Sequence, residues 1–364
     1  MVKQKHIWKG LLSNLITLFM FQYEFFSLIF SDSSILSAIA TSICHPADRT
    51  RWTWLTRISV THQTIERITS SPQTIPILEF WHFEADNSCW KNIALAFQCA
   101  NLNIMKLILN DGLIDESVIE YARECIASVR NVELTAFGGP QCGTEKYVWD
   151  MLADRLAKED VVLEYLVLSQ TNFTNENVEE VAQCVSSVVN VKIVNVDMTK
   201  KQWAKFAIEL NRSDKSLTTL EYAHVDVVDP GVTRSFARTV SAVSEIRLSD
   251  IRISTDQWEE IGREIQQPHS KLKKLALHDM NFSNNEFAML SRCIQDIAEL
   301  EFSELHLSRS QWGMIANKLS CPDIKTKKLH LSFPSPDKDS AFALRSMDGF
   351  KLIENGKISV YERY

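Results

Sequence analysis

The sequence predicts an α/β solenoid, a strand–loop–helix unit repeated about ten times, with inner parallel strands and outer helices. Three observations predict it. Large apolar residues recur every 25–30 residues along most of the 364-residue chain. Each is preceded by an apolar pair two residues apart, which is the period of a strand. Each is followed by apolar residues three and seven places on, which is one face of a helix.

The recurring residues, called anchors here, are Ile65, Trp90, Ile119, Trp149, Val178, Trp203, Val232, Trp258, Phe287 and Trp312. Segments 191–210, 246–265 and 300–319, each carrying a Trp anchor, align without a gap. Segments 166–185 and 275–294 follow the same template around Val178 and Phe287. A degenerate copy centres on Ala341. The mean period is about 27 residues, within the range of repeat arrays. Trp and smaller anchors alternate almost throughout, so the unit of construction reads as a pair of repeats.

The strand of each unit is the apolar pair twelve and ten places before the anchor, as in Leu166 and Leu168 or Leu275 and Leu277. Such a pair points to one face. The helix follows the anchor, as in Trp258, Ile261 and Ile265. Ser254 and Ser283 precede two of these helices as N-cap residues. The position four after the anchor is small in many units (Ala94, Ala182, Ala207, Gly262, Ser291, Ala316), which lets neighbouring helices approach. Cys125, Cys184 and Cys293 share one position, just before the last apolar helical residue. One per distant repeat, they read as packing residues and not as metal ligands. A single unit cannot bury its apolar face, whereas a stack makes a continuous core.

Composition limits the function classes. The net charge is -7 and there is no Lys/Arg run, so nucleic acid is not the expected partner. Gly and Pro number only 10 and 9, against a long disordered linker. The eight cysteines contain no C-x-x-C pair, which fits reduced thiols and a cytoplasmic location. Residues 10–30 are apolar and follow Lys3, Lys5 and Lys9, as in a signal or anchor segment. Ser13, Asn14, Gln22 and Glu24 interrupt them, and carrying Glu24 into lipid costs about 2–4 kcal/mol. The segment therefore reads as buried amphipathic helix, with a membrane role left open.

The template resembles the ribonuclease-inhibitor class of leucine-rich repeat, also found in the C-terminal domain of NOD-like receptors. Leu166–Val185 and Leu275–Ile294 fit that class position for position apart from one Asn. The resemblance covers about Trp54 to Arg345 and implies a horseshoe that binds protein on its concave face. The class's Asn, seven before the anchor, is replaced here by Ile58, Phe83, Gly112, Thr171, Val196, Val225, Ile251, Met280 and Leu305. That Asn ordinarily satisfies loop backbone groups, so this chain needs another device. Phe21–Phe30 is similar to a segment preceding the repeats of NOD-like receptors, with one residue inserted at Tyr23. The nucleotide-binding G-x-x-x-x-G-K-[ST] loop of those receptors is not in this sequence.

The expected organisation is therefore a helical N-terminal cap or remnant of a preceding helical domain at 1–50, the solenoid at 51–345 and a C-terminal cap at 346–364. Within that cap Asn355-Gly356 reads as a hairpin turn.

No catalytic signature such as G-x-S-x-G, H-E-x-x-H or G-x-G-x-x-G appears, so no enzyme, catalytic residue, cofactor or metal is expected. The Gly-rich cluster Gly138–Gly143 falls where a repeat is lengthened and reads as a protruding loop. In the horseshoe geometry the concave face is the expected protein-binding site, carrying Trp54, Trp81, His82, Arg247, Asp250, His278, Glu301 and Glu304. Trp54 and Trp81 would give an aromatic patch. Glu299, Glu301 and Glu304 would make the later repeats acidic and favour a basic partner. The resemblance implies the ligand-sensing or autoinhibitory scaffold of an innate immune receptor. The alternatives are a cytosolic inhibitor of a basic enzyme and a GTPase-activating repeat protein.

Overall fold

The computed structural model describes residues 53–56, 73–75, 77–81, 87–98, 102–110, 114, 116–137, 146–212, 216–332, 350–355 and 358–363. The 1–50 region with its apolar segment, anchor Ile65, His82, the Gly138–Gly143 cluster and the copy at Ala341 lie outside these residues.

The first elements are β1 (Thr53–Thr56), β2 (Gln73–Ile75), β3 (Leu78–Trp81), α1 (Asn87–Phe97), β4 (Leu102–Ile104) and β5 (Lys106–Asn110). Strand and helix then alternate through α2 (Ile119–Ala127), β6 (Asn131–Thr135), α3 (Lys146–Leu156), β7 (Tyr165–Ser169), α4 (Val178–Ser186) and β8 (Asn190–Val194). They continue with α5 (Lys200–Arg212), β9 (Thr219–Ala223), α6 (Thr233–Ser241), β10 (Glu245–Ser249), α7 (Thr255–Ile265) and β11 (Lys274–His278). The chain closes with α8 (Asn284–Cys293), β12 (Glu299–Ser303), α9 (Arg309–Leu319), β13 (Lys328–Ser332), β14 (Phe350–Asn355) and β15 (Ile358–Arg363).

Thirteen strands form one open sheet, in the order β1-β3-β5 to β13 in sequence, then β15 and β14. All pairs from β1 to β13 are parallel. β2 and β4 form a separate parallel pair. The result is a repeating α/β stack.

Register follows the template. Leu78, Leu107, Val132, Leu166, Val191, Leu220, Ile246, Leu275, Leu300 and Leu329 pair in one column across ten strands. All are buried in one core, together with the anchors from Trp90 to Trp312. A one-residue slip would turn a whole strand's apolar set outward, which is why the register is fixed.

Two devices satisfy the loop backbone. Seven places before the anchors Val196, Val225, Ile251, Met280 and Leu305 are buried. The loop backbone is then satisfied by a glutamine directly before the Trp anchor. Gln202, Gln257 and Gln311 are buried. Each Oε1 accepts from the backbone N–H at the helix start, namely Thr199, Ser254 and Ser308, at 2.7–2.8 Å. Each Nε2 donates to a loop carbonyl of the preceding unit: Phe173, Val227 and, at 3.0 Å, Phe282. One side chain thus caps its own helix and clasps its neighbour.

The second device is a column of left-handed residues directly after the strands. Ala136, Gln170, Asn195, His224, Asp250, Asp279 and Glu304 have φ between 46° and 54°. Each donates its N–H to the carbonyl ending the next strand, at 2.8–3.2 Å. Asn195, His224, Asp250 and Asp279 are of types that enter this region readily, whereas Ala136, Gln170 and Glu304 are held there by the surrounding structure.

The small position between helices is needed at Gly262. A Cβ there would stand 2.8 Å from Cys293 Sγ. That thiol is fixed, donating to the Trp258 carbonyl at 3.0 Å, and burial pushes its pKa up to about 12. Gly262→Ala should therefore destabilise by about 1–2 kcal/mol, against the ~1 kcal/mol gain in helix propensity. Urea denaturation checks this, with Gly262→Ala/Cys293→Ala recovering the loss. A stabilised single variant would contradict the close approach.

At the C-terminal end β14 and β15 form the antiparallel hairpin that Asn355-Gly356 announced, with an irregularity between Leu352 and Glu354. β15 pairs antiparallel with β13 and covers its edge. Arg363 fastens it by donating to the Ile324, Cys321 and Pro322 carbonyls at 2.8–3.3 Å.

Candidate functional site

The sheet face turned away from the helices is built by the strand positions flanking the buried column. Its middle column runs Glu79, Ile108, Glu133, Val167, Lys192, Glu221, Arg247, Ala276, Glu301 and His330. A second column two residues earlier contributes Lys106, Glu245, Lys274, Glu299 and Lys328. Parallel pairing in register sets these side chains beside one another on adjacent strands.

The charges are paired across strands. Lys106 meets Glu133 at 2.6 Å and Lys192 meets Glu221 at 2.6 Å. Between β10 and β13 the pairs join into one network. Arg247 reaches Glu245 Oε1 at 2.7 Å, and Lys274 lies 3.3 Å from the same oxygen. Lys274 also meets Glu301 at 2.8 Å and Glu299 at 3.6 Å. His330 Nε2 lies 3.0 Å from Glu299. At the other end of the face, buried Glu79 accepts from Asn110 at 2.7 Å.

The Lys274–Glu301 pair at its centre is ionised at neutral pH. Burial pulls the Lys274 ammonium down, but its bond to Glu301 and the carboxylates of Glu245 and Glu299 outweigh this and raise it. Burial pushes the Glu301 carboxyl up, but Lys274, Arg247 and His330 outweigh this and hold it below the usual carboxylate range. Glu299 and Glu301 are therefore not a free acidic patch: half-buried carboxylates on neighbouring strands need cations, and Lys274 serves both.

Exposed acid sits instead on the rim formed by the left-handed column, where Asp250, Asp279 and Glu304 occupy successive layers. His224 Nδ1 stands 2.8 Å from Asp250, and His278 stands 3.9 Å from Glu304 and 3.3 Å from Ser249 Oγ. About half of each of these four charged or ionisable side chains is open to solvent.

Of the sequence-predicted residues, Arg247 and Glu301 lie within the face network, His278 at the strand end, and Asp250 and Glu304 on the rim. Trp54 and Trp81 lie on β1 and β3, Trp54 in register with Glu79 and Trp81 with Thr56. Lys274 and Glu245, the centre of the network, were not singled out. The signal for them was present, because strand period puts a third outward position two residues before the middle column.

Among the described residues no group of three or more His, Cys, Asp or Glu is placed to hold a metal ion. Cys125, Cys184 and Cys293 are buried. No helix of the described residues is long and apolar enough to cross a membrane. No protein-family model matches the chain, and no curated protein matches it in sequence.

Proposed function

We propose that the chain is a protein-binding leucine-rich-repeat scaffold, a horseshoe solenoid of the ribonuclease-inhibitor kind. Its partner would seat across the open sheet face and the acidic rim. One observation carries the reading: ten strands in unbroken register present an extended face of ordered, charged side chains bordered by Asp250, Asp279 and Glu304. Broad ordered faces of this kind suit macromolecular contact, with the rim charge favouring a basic partner and steering its approach. The repeat resemblance supports the same reading and places it beside the ligand-sensing or autoinhibitory domains of NOD-like receptors.

The test is affinity capture with the full chain, with an Asp250→Lys/Asp279→Lys/Glu304→Lys variant, and with Glu259→Lys on α7 as control. The expected result is a basic protein retained by the wild type and the control and depleted about tenfold or more with the rim variant. An identical captured set in all three would overturn the rim as the contact surface. A basic enzyme captured in this way should be inhibited stoichiometrically if the chain is an inhibitor.

A further inference from the structure

The edge of the sheet opposite the acidic rim, where the strands begin, carries a surface of the other sign. Two segments two units apart have the same pattern: Lys271-Leu272-Lys273-Lys274-Leu275 and Lys325-Thr326-Lys327-Lys328-Leu329. The unit between them has Asp296-Ile297-Ala298-Glu299 at the same place. The fourth residue of each pattern turns onto the sheet face. The third stays on the edge and is exposed in both cases.

Backbone hydrogen bonds fix these segments side by side. Glu299 N–H donates to the Lys273 carbonyl at 2.9 Å, and Lys327 N–H to the Ala298 carbonyl at 2.7 Å. Arg363 N–H donates to the Lys327 carbonyl at 2.9 Å. Lys273, Ala298, Lys327 and Arg363 therefore stand in one row over four layers. With about 4.8 Å between layers, the lysines start about 10 Å apart and Arg363 about 5 Å further on. The small side chain of Ala298 leaves a recess of about 580 Å³ between them, with apolar Leu272, Ile324 and Pro322 in its wall.

Among the described residues no carboxylate lies within ion-pair distance of Lys273, Lys327 or Arg363. The Arg363 guanidinium donates only to backbone carbonyls, which fix its direction and leave its charge. Among the described residues the carboxylate that lines the recess is Asp296, which is engaged by Lys325 at 3.0 Å and Gln266 at 3.1 Å, and those partners outweigh burial to hold it below the usual carboxylate range. On the sheet face, by contrast, Lys106, Lys192, Arg247 and Lys274 all have acidic partners.

We propose that this recess is a second docking surface, which takes an extended acidic segment of a protein partner, its apolar side chains on Ala298 and its carboxylates on Lys273, Lys327 and Arg363. Extended peptide rises about 3.3 Å per residue, so alternating acidic and apolar residues over six positions span the row. Single-stranded nucleic acid fits less well: among the described residues no aromatic side chain lines the recess to stack a base, and Asp296 opposes a continuous phosphate chain. An anionic membrane fits less well too, because the large apolar residues lining the recess, Leu272 and Ile324, are buried and do not project to enter lipid. This surface is separate from the rim and does not depend on the function proposed for it.

The test uses the full chain and a fluorescein-labelled octapeptide of alternating glutamate and leucine, read by anisotropy at low salt. Binding should fall at least about tenfold in Lys273→Gln/Lys327→Gln, whose exposed positions leave the fold intact by circular dichroism. It should fall comparably in Ala298→Phe, which fills the recess and changes no charge. A glutamate–serine octapeptide should bind several-fold more weakly. Retained binding in the lysine variant overturns the proposal. So does retained binding in Ala298→Phe, which would mean attraction by charge without a seat. Tighter binding of a single-stranded oligonucleotide, or of phosphatidylserine vesicles, than of the peptide overturns it in favour of those partners.

Discussion

Trp203→Ala should lower the unfolding free energy by about 5 kcal/mol, the largest loss expected for a single substitution in the described chain. The indole is fully buried and stands at the centre of an aromatic cluster, with ring centroids of Phe236, Tyr222 and Phe206 at 5.5, 5.6 and 6.4 Å. Alanine would leave a cavity between two units and remove all three ring contacts at once. Trp203→Phe should cost much less, about 1–2 kcal/mol, because the buried indole N–H has no acceptor and phenylalanine leaves no donor unpaired. Urea denaturation followed by circular dichroism measures both. A loss below about 2 kcal/mol for the alanine variant would mean that the units relax around the gap and that the anchors do not set the spacing of the stack.

Gln257 gives the second large effect, and one with a distinctive pH signature. Its side chain accepts from Ser254 N–H at 2.8 Å and donates to the Val227 carbonyl of the preceding unit, with almost no solvent access. Gln257→Glu keeps the shape and the acceptor but loses the donor. At neutral pH it sets a buried carboxylate against a carbonyl oxygen, and the cost should be about 3 kcal/mol or more. Burial raises the folded-state pKa of that carboxyl above its unfolded value. The protonated form can donate the missing bond, so stability should return as pH falls and be lost as it rises through the folded pKa. Gln257→Ala should also destabilise, by about 2–3 kcal/mol, without that recovery. Equal stability of the wild type and the Glu variant at pH 7 would contradict the clasp.

The parts of the fold legible in the sequence were those carried by apolar periodicity. The anchors, the paired strand positions and the small residue at Gly262 fall where the template put them, because burial imposes one pattern on every copy. The C-terminal hairpin was legible through Asn355-Gly356. The loops were not. The loop-satisfying role of Gln202, Gln257 and Gln311 left no sign beyond the dipeptide Gln-Trp, which recurs in these three copies. A polar residue beside a bulky anchor reads as surface until the neighbouring unit is in place. The left-handed column gave a local signal only at Asn195, His224, Asp250 and Asp279, and none at Ala136, Gln170 and Glu304. Their conformation is imposed by the next strand's carbonyl. On the sheet face, acids were read by their own spacing, which found Glu301 and Glu304 but not that Lys274 neutralises the first. Pairing between strands depends on residues about 27 positions apart, beyond any single motif.

The joints between units also set how this chain can change in length over descent. Three of the units with a Trp anchor reach back through glutamine to a unit with a smaller anchor, Gln202 to Phe173, Gln257 to Val227 and Gln311 to Phe282. Two of the smaller-anchor units reach back through a thiol to a Trp unit, Cys184 to Trp149 and Cys293 to Trp258. The two joints are not interchangeable, since one fills a loop and the other a gap between helices. Loss or duplication of a single copy would set two like faces together, with two indoles competing for one layer and a clasp without its carbonyl. Gain or loss of two adjacent copies preserves every joint, so the heritable module of this stack is about 54 residues, twice the period.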